Sequence, residues 1–305
     1  MNLPIVFHPD YVAPLPPGHR FPMPKFGLLC DMLLEEGVIR RSQLHLPKLP
    51  PTEWIELVHH RDYVKGYCEG TLDPKAQRRI GLPWSPALAQ RTCIAVGGAI
   101  LTAKLALSHG LACNTAGGTH HAFPNYGSGF CIFNDMAIAA CVMQKLGLAK
   151  KILIVDLDVH QGDATAVIFQ DNPHVFTFSM HCQANFPAKK QTSDRDIPLA
   201  VGMEDEEYLQ ILASHLPDLL TEFRPDLVIY DAGVDPHIGD RLGKIALTDS
   251  GLWRREMQVL STCVGMGYPV AGIIGGGYCE DMQGLVYRHS LLHRAATDVY
   301  RQYRL

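Results

Sequence analysis

The sequence predicts an α/β fold: a single domain with a mainly parallel β-sheet flanked by helices on both faces. Three observations support this prediction. Short apolar runs of strand length alternate with longer segments of helical periodicity, an order typical of parallel sheets. The 305 residues are 47% hydrophobic, which is enough for one large core. No repeat, low-complexity tract or linker divides the chain, so we expect one domain over residues 1–305.

The elements follow from local patterns along the chain. A stretch at 9–24 holds six prolines and is expected to form a fixed surface loop. The run at 151–158, "KILIVDLD", begins with β-branched and aliphatic residues, as a strand buried on both faces does. The predicted strands are 3–8, 111–116, 151–158, 174–181, 225–232 and 269–276, and the predicted helices are 88–109, 133–147, 204–223, 248–266 and 283–303.

Composition and charge argue against a nucleic-acid-binding, membrane-spanning or secreted protein. The formal net charge of −4 gives no basic field for nucleic acid. The longest apolar stretch, 94–107, is interrupted by Lys104 and is expected to be too short to span a membrane. The start, "MNLPIVFHPDY", lacks the pattern of a secretory signal. Nine scattered cysteines indicate buried free thiols in a reducing compartment, so we expect a cytoplasmic protein.

Polar and glycine-rich clusters follow four of the predicted strands. In open α/β sheets the carboxyl edge of the strands is where ligands bind, so these clusters predict a functional crevice there. The clusters are "NTAGGTHHAFPNYGSGF" after 111–116, "DLDVHQGD" at the end of 151–158, "DAGVDPHIGD" after 225–230, and "GGGY" after 269–274.

The cluster at 156–163 favours a metal site. Side chains alternate along a strand, so Asp156, Asp158 and His160 should share one direction. Such groups at the end of a core strand are costly unless a cation pairs with them, and no Lys or Arg occurs between 152 and 188. Asp158 and His160 would be two ligands. Asp235 is the favoured third ligand and Asp231 the competing one. Such a set leaves an open position, as catalytic zinc requires.

Two further stretches supply candidate catalytic groups. The tandem His120 and His121 in "GGTHHA" could pair with the spare carboxylates Asp156 and Asp163, and such dyads can activate water and protonate a leaving amine. Three glycines before Tyr278 let the backbone bend and present the phenol to the crevice as an oxyanion donor. Two other aromatic residues, Phe130 and Phe186, would by themselves be interpreted as core residues.

The sequence resembles the histone deacetylase superfamily, of the arginase–deacetylase fold, along essentially its whole length. In "HQGD", "DAGVD" and "GDRLG" 239–243 it is more similar to the class IV branch than to classes I or II. The stretches that carry the resemblance are "HPDY" 8–11, "GHRFPMPKF" 18–26, "VHHRDYV" 58–64, "GGTHHA" 117–122, "GFCIFND" 129–135, "DLDVHQGD" 156–163, "DAGVD" 231–235 and "GGGY" 275–278.

The resemblance implies a site and its cofactors. It implies one zinc ion (ferrous iron being the alternative) on Asp158, His160 and Asp235, with Tyr278 polarising the acyl carbonyl. It also implies walls of an acyl-lysine tunnel and a structural potassium ion. The implied dyads are His120–Asp156 and His121–Asp163; the tunnel residues are Phe130, Phe186 and the Gly129 carbonyl; and the potassium ligands are Asp156, the carbonyls of Asp158, His160 and Met180, and the Ser179 hydroxyl.

The leading hypothesis is therefore a zinc-dependent amidohydrolase that removes acetyl or longer fatty-acyl groups from lysine side chains or related amines. The substrate would be an acyl-lysine protein or peptide, or a small acylated amine such as an acetylpolyamine. An arginase-like enzyme with two manganese ions is disfavoured because Gly162 stands where a further carboxylate is expected. A non-catalytic acyl-lysine binder predicts a broken constellation, yet every expected group is present.

Overall fold

A computed structural model describes residues 2–305, and one eight-stranded sheet runs through it. Every neighbouring pair of strands is parallel, in the order β2-β1-β3-β8-β7-β4-β5-β6. The predicted α/β class is thereby confirmed. The strands are β1 Ile5–Val6, β2 Leu44–His45, β3 Leu111–Asn114, β4 Ile152–Asp156, β5 Val175–Cys182, β6 Arg195–Leu199, β7 Leu227–Ala232 and β8 Val270–Ile274.

The six strands predicted from the sequence are all present, most of them shorter than predicted. Two edge strands, β2 and β6, were not predicted. β2 has only two residues, and β6 has Pro198 within it, which removes a ladder donor and is tolerated at a sheet edge. The sequence pattern of such edges carries little of the apolar signal that marks a central strand.

Helices cover the faces of the sheet. Helix α5 packs against α6, and α10 contacts both α9 and α1. All five predicted helices are found. Five others were not predicted, and four of these have eight residues or fewer. The helices are α1 Lys25–Glu35, α2 Thr52–Ile55, α3 Arg61–Cys68, α4 Pro74–Ile80, α5 Pro86–His109, α6 Asp135–Lys145, α7 Asp163–Phe169, α8 Asp205–Phe223, α9 Asp249–Gly265 and α10 Met282–Gln302.

Helix α5 shows why a long apolar segment belongs to the core here. The Ser85 hydroxyl accepts a hydrogen bond from the Leu88 amide, and Pro86 occupies the first turn, so the amino end is well capped. Its 24 residues are long and apolar enough to cross a membrane by length and composition, so the expectation of a segment too short to span was wrong. However, 61% of its most apolar window is buried inside the fold, as in the core helix of a globular protein.

The carboxyl ends of β3, β4, β7 and β8 lie at one edge of the sheet, since these strands are parallel neighbours within one sheet. The polar clusters of the sequence therefore converge, as expected. The cysteines agree less fully with the prediction of buried thiols. All nine are free, but Cys68 is exposed and Cys93, Cys141 and Cys279 are half-buried.

Candidate metal and catalytic site

The turn that follows β4 carries buried ionisable groups in a tight local structure. Asp156 is the last residue of the strand, and its Oδ1 accepts a hydrogen bond from the Asp158 amide at 3.1 Å. The Asp158 Oδ1 in turn accepts one from the His160 amide at 2.9 Å. Aspartates stabilise turns through such bonds to amides two residues on. The polar run in the sequence thus ends the strand and fixes its own side chains.

Asp158, His160 and Asp235 come together as a candidate metal centre, with their ligand atoms within 4.8 Å of one another. The His160 Nδ1 lies 2.9 Å from the Asp158 Oδ1 and 3.2 Å from the Asp235 Oδ2. Backbone amides hold the opposite carboxylate oxygens. Gly276 donates to the Asp158 Oδ2 at 2.7 Å, and Val159 donates to the Asp235 Oδ1 at 2.9 Å.

These three residues fit a divalent metal ion. The Asp235 Oδ2 is buried and has no hydrogen-bond partner among residues 2–305. Burial and the neighbouring charge of Asp158 raise the pKa of Asp235 to about 7, because a second anion is costly at this place; a bound cation would offset that cost. A Cβ at Gly276 would lie 2.1 Å from that same oxygen, so glycine is required where the backbone approaches the centre. Two carboxylates and one imidazole are a donor set of the catalytic zinc type.

Asp231, the competing third ligand, lies elsewhere. It groups with His120 and Asp156, and its Oδ2 is 3.9 Å from the His120 Nδ1. Both of its oxygens are buried without a hydrogen-bond partner in the described residues. Burial, together with the charge of Asp156, raises its pKa well above the usual value. The geometry therefore favours Asp235 over Asp231 at the metal centre.

The two histidines each meet the expected carboxylate. His120 Nδ1 lies 2.7 Å from the Asp156 Oδ2, and His121 Nδ1 lies 2.7 Å from the Asp163 Oδ1. Burial lowers the pKa of His120, but the charges of Asp156 and Asp158 outweigh it, and the net pKa is well raised. Burial and the charge of His120 lower the pKa of His121 to about 4. The imidazoles are thus electrostatically different although their partners are alike.

Tyr278 lies at the end of the glycine-rich segment after β8. Its backbone N–H donates to the Asp240 Oδ2 at 2.6 Å. The buried Lys25 ammonium holds the same segment by hydrogen bonds to the carbonyls of Gly275 at 3.2 Å and Gly277 at 3.5 Å. Burial raises the pKa of the Tyr278 phenol well above its usual value, so the hydroxyl stays a donor.

A cavity of about 220 Å³ opens onto these groups. The rings of Phe130 and Tyr278 lie 5.8 Å apart, and those of His121 and Phe186 lie 4.8 Å apart. Phe130 and Phe186 are thus cavity walls, although from the sequence alone they would be interpreted as core. The lining residues are Arg20, His121, Gly129, Phe130, His160, Asn185, Phe186, Leu242 and Tyr278.

The Phe130 backbone reaches the wall by an unusual conformation. Its φ of 66° lies in the left-handed region that non-glycine residues rarely adopt. The Phe130 N–H donates to the Ile80 carbonyl at 2.8 Å, which holds this conformation. Strain of this kind concentrates at binding sites.

The residues of the expected potassium site lie on adjacent strands. Ser179 is directly opposite Asp156 in the pairing of β5 with β4, and both side chains are buried. The Ser179 hydroxyl lies 3.0 Å from the His181 Nδ1. The expected potassium ion itself stays a prediction.

A buried ion pair supports the turn after β4. Arg255 on α9 is fully buried and donates to the Leu157 carbonyl at 3.2 Å, next to the candidate ligand Asp158 in the chain. Its guanidinium also lies 2.5 Å from the Glu256 Oε1, and the Tyr230 hydroxyl donates to the other Glu256 oxygen at 2.5 Å. The network therefore ties α9 and β7 to the segment that carries the candidate ligands.

Sequence reasoning missed several residues of the site. Arg20, Asn185 and Leu242 line the cavity, while Asp240 and Lys25 hold the Tyr278 segment. Four of these five lie in stretches that had been singled out for another reason: Arg20 and Lys25 in "GHRFPMPKF", and Asp240 and Leu242 in "GDRLG". The signal in the sequence that could have indicated Arg20, Lys25 and Asp240 was a charged residue close to prolines or to a glycine turn.

The parallel sheet with its helices is the arginase–deacetylase fold, and a candidate metal site lies at the carboxyl edge of its strands. The family model of the histone deacetylase domain matches residues 19–292. That match covers most of the chain, so the protein belongs to the histone deacetylase family.

Individual relatives agree with this assignment. An uncharacterized protein of Picosynechococcus sp. is 68% identical over 300 residues, covering 98% of this chain and 100% of that protein. Histone deacetylase 2 of Arabidopsis thaliana is 28% identical over 86% of this chain and 70% of its own. The acetoin utilization protein AcuC of Staphylococcus xylosus is 28% identical over 85% of this chain and 73% of its own.

Solved structures show the same fold. An HDAC homologue from Aquifex aeolicus superposes with a TM-score of 0.82 at 24% identity, covering 98% of this chain and 84% of that one. An HDAC homologue complexed with SAHA gives a TM-score of 0.84 at 24% identity, with the same coverage.

Proposed function

We propose that the protein is a zinc-dependent amidohydrolase that removes acyl groups from lysine side chains or related amines, with residues 1–305 as one catalytic domain. One observation carries this proposal: the metal set, a His–Asp dyad and the Tyr278 phenol all adjoin one cavity with aromatic walls. A non-catalytic binder would not need all three.

The metal ligands in this proposal are Asp158, His160 and Asp235. Zinc, when bound, supplies Lewis acidity for the acyl carbonyl oxygen and for a water molecule beside it. The two aspartates offset the charge of the ion, so a zinc ion here would stabilise negative charge on the acyl oxygen less than one with neutral ligands only. The dyads and Tyr278 would supply the remaining stabilisation.

The chain's own residues would then do the proton transfers. His121 faces the cavity, and the Asp163 carboxylate at 2.7 Å from its Nδ1 fixes the ring so that its other nitrogen points towards a substrate. That nitrogen would accept a proton from the attacking water and later deliver it to the leaving amine. His120 does not line the cavity and would act chiefly through its charge. The Tyr278 hydroxyl would donate to the oxygen that gains charge.

The aromatic walls would hold the substrate in line with these groups. Phe130 and Phe186 would flank the methylene chain of an acyl-lysine, and the Gly129 carbonyl would accept the amide N–H. A potassium ion bound by Asp156, Ser179 and the carbonyls of Asp158, His160 and Met180 would stiffen the strand ends. Ferrous iron in place of zinc would serve the same ligand set.

An acyl-lysine panel tests this function. Purified protein loaded with zinc is assayed for amine release from peptides whose acyl groups range from acetyl to myristoyl, and from acetylpolyamines. We expect hydrolysis of at least one member, loss of turnover on chelation, and recovery when zinc is restored. The Asp158→Ala variant is the matched control and should stay inactive at every zinc concentration. Folded, zinc-loaded protein that hydrolyses no member of the panel would contradict the proposal.

A further inference from the structure

Arg20 occupies a fixed place at the mouth of the cavity. Its guanidinium lies 5.0 Å above the centre of the Phe130 ring, and its side chain is exposed. The flanking residues are anchored: a ring nitrogen of His19 bonds to the Gly81 carbonyl at 3.1 Å, and the other accepts from the Phe21 amide at 3.1 Å. Of the ion pairs made by arginines within residues 2–305, none involves Arg20.

Two lysines lie close in sequence to other residues that line the cavity: Lys190 follows Phe186, and Lys244 follows Leu242. The Lys190 ammonium donates to the carbonyls of Asn185 at 2.6 Å and Pro187 at 2.7 Å. The Lys244 ammonium donates to the Ala184 carbonyl at 2.7 Å. Because the acceptors are neutral carbonyls, these bonds fix the cavity wall without cancelling either charge.

Carboxylates near the mouth are already engaged. Asp240 accepts backbone hydrogen bonds from Leu242 at 2.8 Å, Gly243 at 3.0 Å and Tyr278 at 2.6 Å. Glu280 pairs with Arg241 at 2.8 Å. None of the cavity-lining residues in the described part of the chain is acidic. The mouth therefore offers a guanidinium that has no ion-pair partner among residues 2–305, in a cavity whose lining contains no acidic side chain.

We propose that this mouth selects acylated amines that carry a carboxylate at the far end of the acylated chain, and that Arg20 binds the carboxylate. The inference rests on the proposed function and names its substrate class. With the acyl group beside His160 and Tyr278, the methylene chain of lysine passes Phe130, and its Cα end emerges where the guanidinium lies. Arginine binds carboxylates in a bidentate, planar geometry. An acetylpolyamine would instead place an ammonium group there and be repelled.

The carboxylate could come from the acyl-lysine itself, as its α-carboxylate, or from an acidic side chain next to it in a peptide. Four substrates, each assayed with the zinc-loaded protein, separate these sources. The first is a dipeptide that ends in acetyl-lysine with a free carboxylate, and the second is the same dipeptide as its amide. The third is that amide with a neighbouring aspartate, and the fourth is acetylputrescine. kcat/KM is measured for each. Dissociation constants are measured in a Tyr278→Phe background, where turnover is slow.

We expect kcat/KM for one of the two acidic peptides to exceed that of the neutral amide by roughly tenfold or more. This is the change in affinity that one hydrogen bond to a charged group typically contributes. The gain should appear mainly in KM and in the dissociation constant. Arg20→Gln should abolish the preference and Arg20→Lys should keep part of it. Arg301→Gln is the matched control because Arg301 is exposed on the last turn of α10, away from the cavity lining, and it should keep the preference.

Equal kcat/KM and equal affinity for acid and amide, a preference that survives Arg20→Gln, or a preference for acetylputrescine would each overturn the inference. Failure of the proposed function looks different, since no substrate would then be hydrolysed at all. The dissociation constants would still decide the role of Arg20: tighter, Arg20-dependent binding of the acid supports it, and equal binding overturns it.

Discussion

Replacing Tyr278 with phenylalanine removes one hydroxyl and little else. The ring contacts survive, because Phe130 at 5.8 Å and His160 at 6.4 Å between ring centres meet the ring rather than the oxygen. The backbone bond to Asp240 is independent of the side chain. The phenol makes no hydrogen bond to any residue within 2–305 in this structure, so its loss should change stability by less than about 0.5 kcal/mol.

The effect on turnover should be much larger if the hydroxyl donates to the developing oxyanion. Loss of one such donor costs roughly 10²–10³ in kcat, or about 3–4 kcal/mol. We expect the upper part of that range, because the two aspartates of the metal set leave less positive charge to stabilise the oxygen. KM should change less than kcat, since the interaction belongs to the transition state.

The assay is steady-state kinetics on a preparation whose zinc content and Tm are also measured. Tyr63→Phe is the matched control: the Tyr63 hydroxyl donates to the Ile132 carbonyl at 2.8 Å inside the core. That variant should lose about 1 kcal/mol of stability and keep its turnover, the opposite pattern. A folded, zinc-loaded Tyr278→Phe protein with near-normal kcat would refute the oxyanion role.

Two further predictions follow from the surroundings of the site. His121→Ala should lower kcat/KM more than His120→Ala, because of the two histidines only His121 lines the cavity. Steady-state kinetics of both variants check this. A larger loss in His120→Ala would make His120 the main general base and acid. Glu256→Ala should cost about 3–5 kcal/mol of unfolding free energy, because it leaves the fully buried Arg255 without its counter-ion. Denaturant unfolding measures this loss. Glu206→Ala is the control, because Glu206 is an exposed ion-pair partner whose removal should cost less than about 1 kcal/mol of unfolding free energy. Equal losses of unfolding free energy in the two variants would contradict the argument.

The central sheet was predictable because its strands carry their own signal. The run 152–156 in β4 is buried throughout, and its β-branched and aliphatic residues mark it in any window. Edge strands such as β6, with polar residues and Pro198, lack that signal and depend on the neighbouring strand for their conformation. Helix α7 has only seven residues, too few for a helical period to stand out.

The candidate ligands and dyads were predictable because each cluster directly follows a strand, and parallel strands bring their ends together. The supporting residues were not. Arg255 and Glu256 stand in "WRREM", which has the composition of a solvated helix face, and only packing of α9 carries them to the Leu157 carbonyl. Arg20 belongs to a loop whose course is set by contacts distant in sequence, such as the bond from His19 to Gly81.

Metal content tests the central claim most directly. Wild-type protein, Asp235→Ala and Asp231→Asn are loaded with zinc, desalted and analysed for metal and protein on the same samples. The geometry of Asp158, His160 and Asp235 predicts a single tightly bound ion per chain in the wild type and in Asp231→Asn, and loss of that ion in Asp235→Ala. A stoichiometric ion retained by Asp235→Ala, or two tightly bound ions in the wild type, would contradict the account.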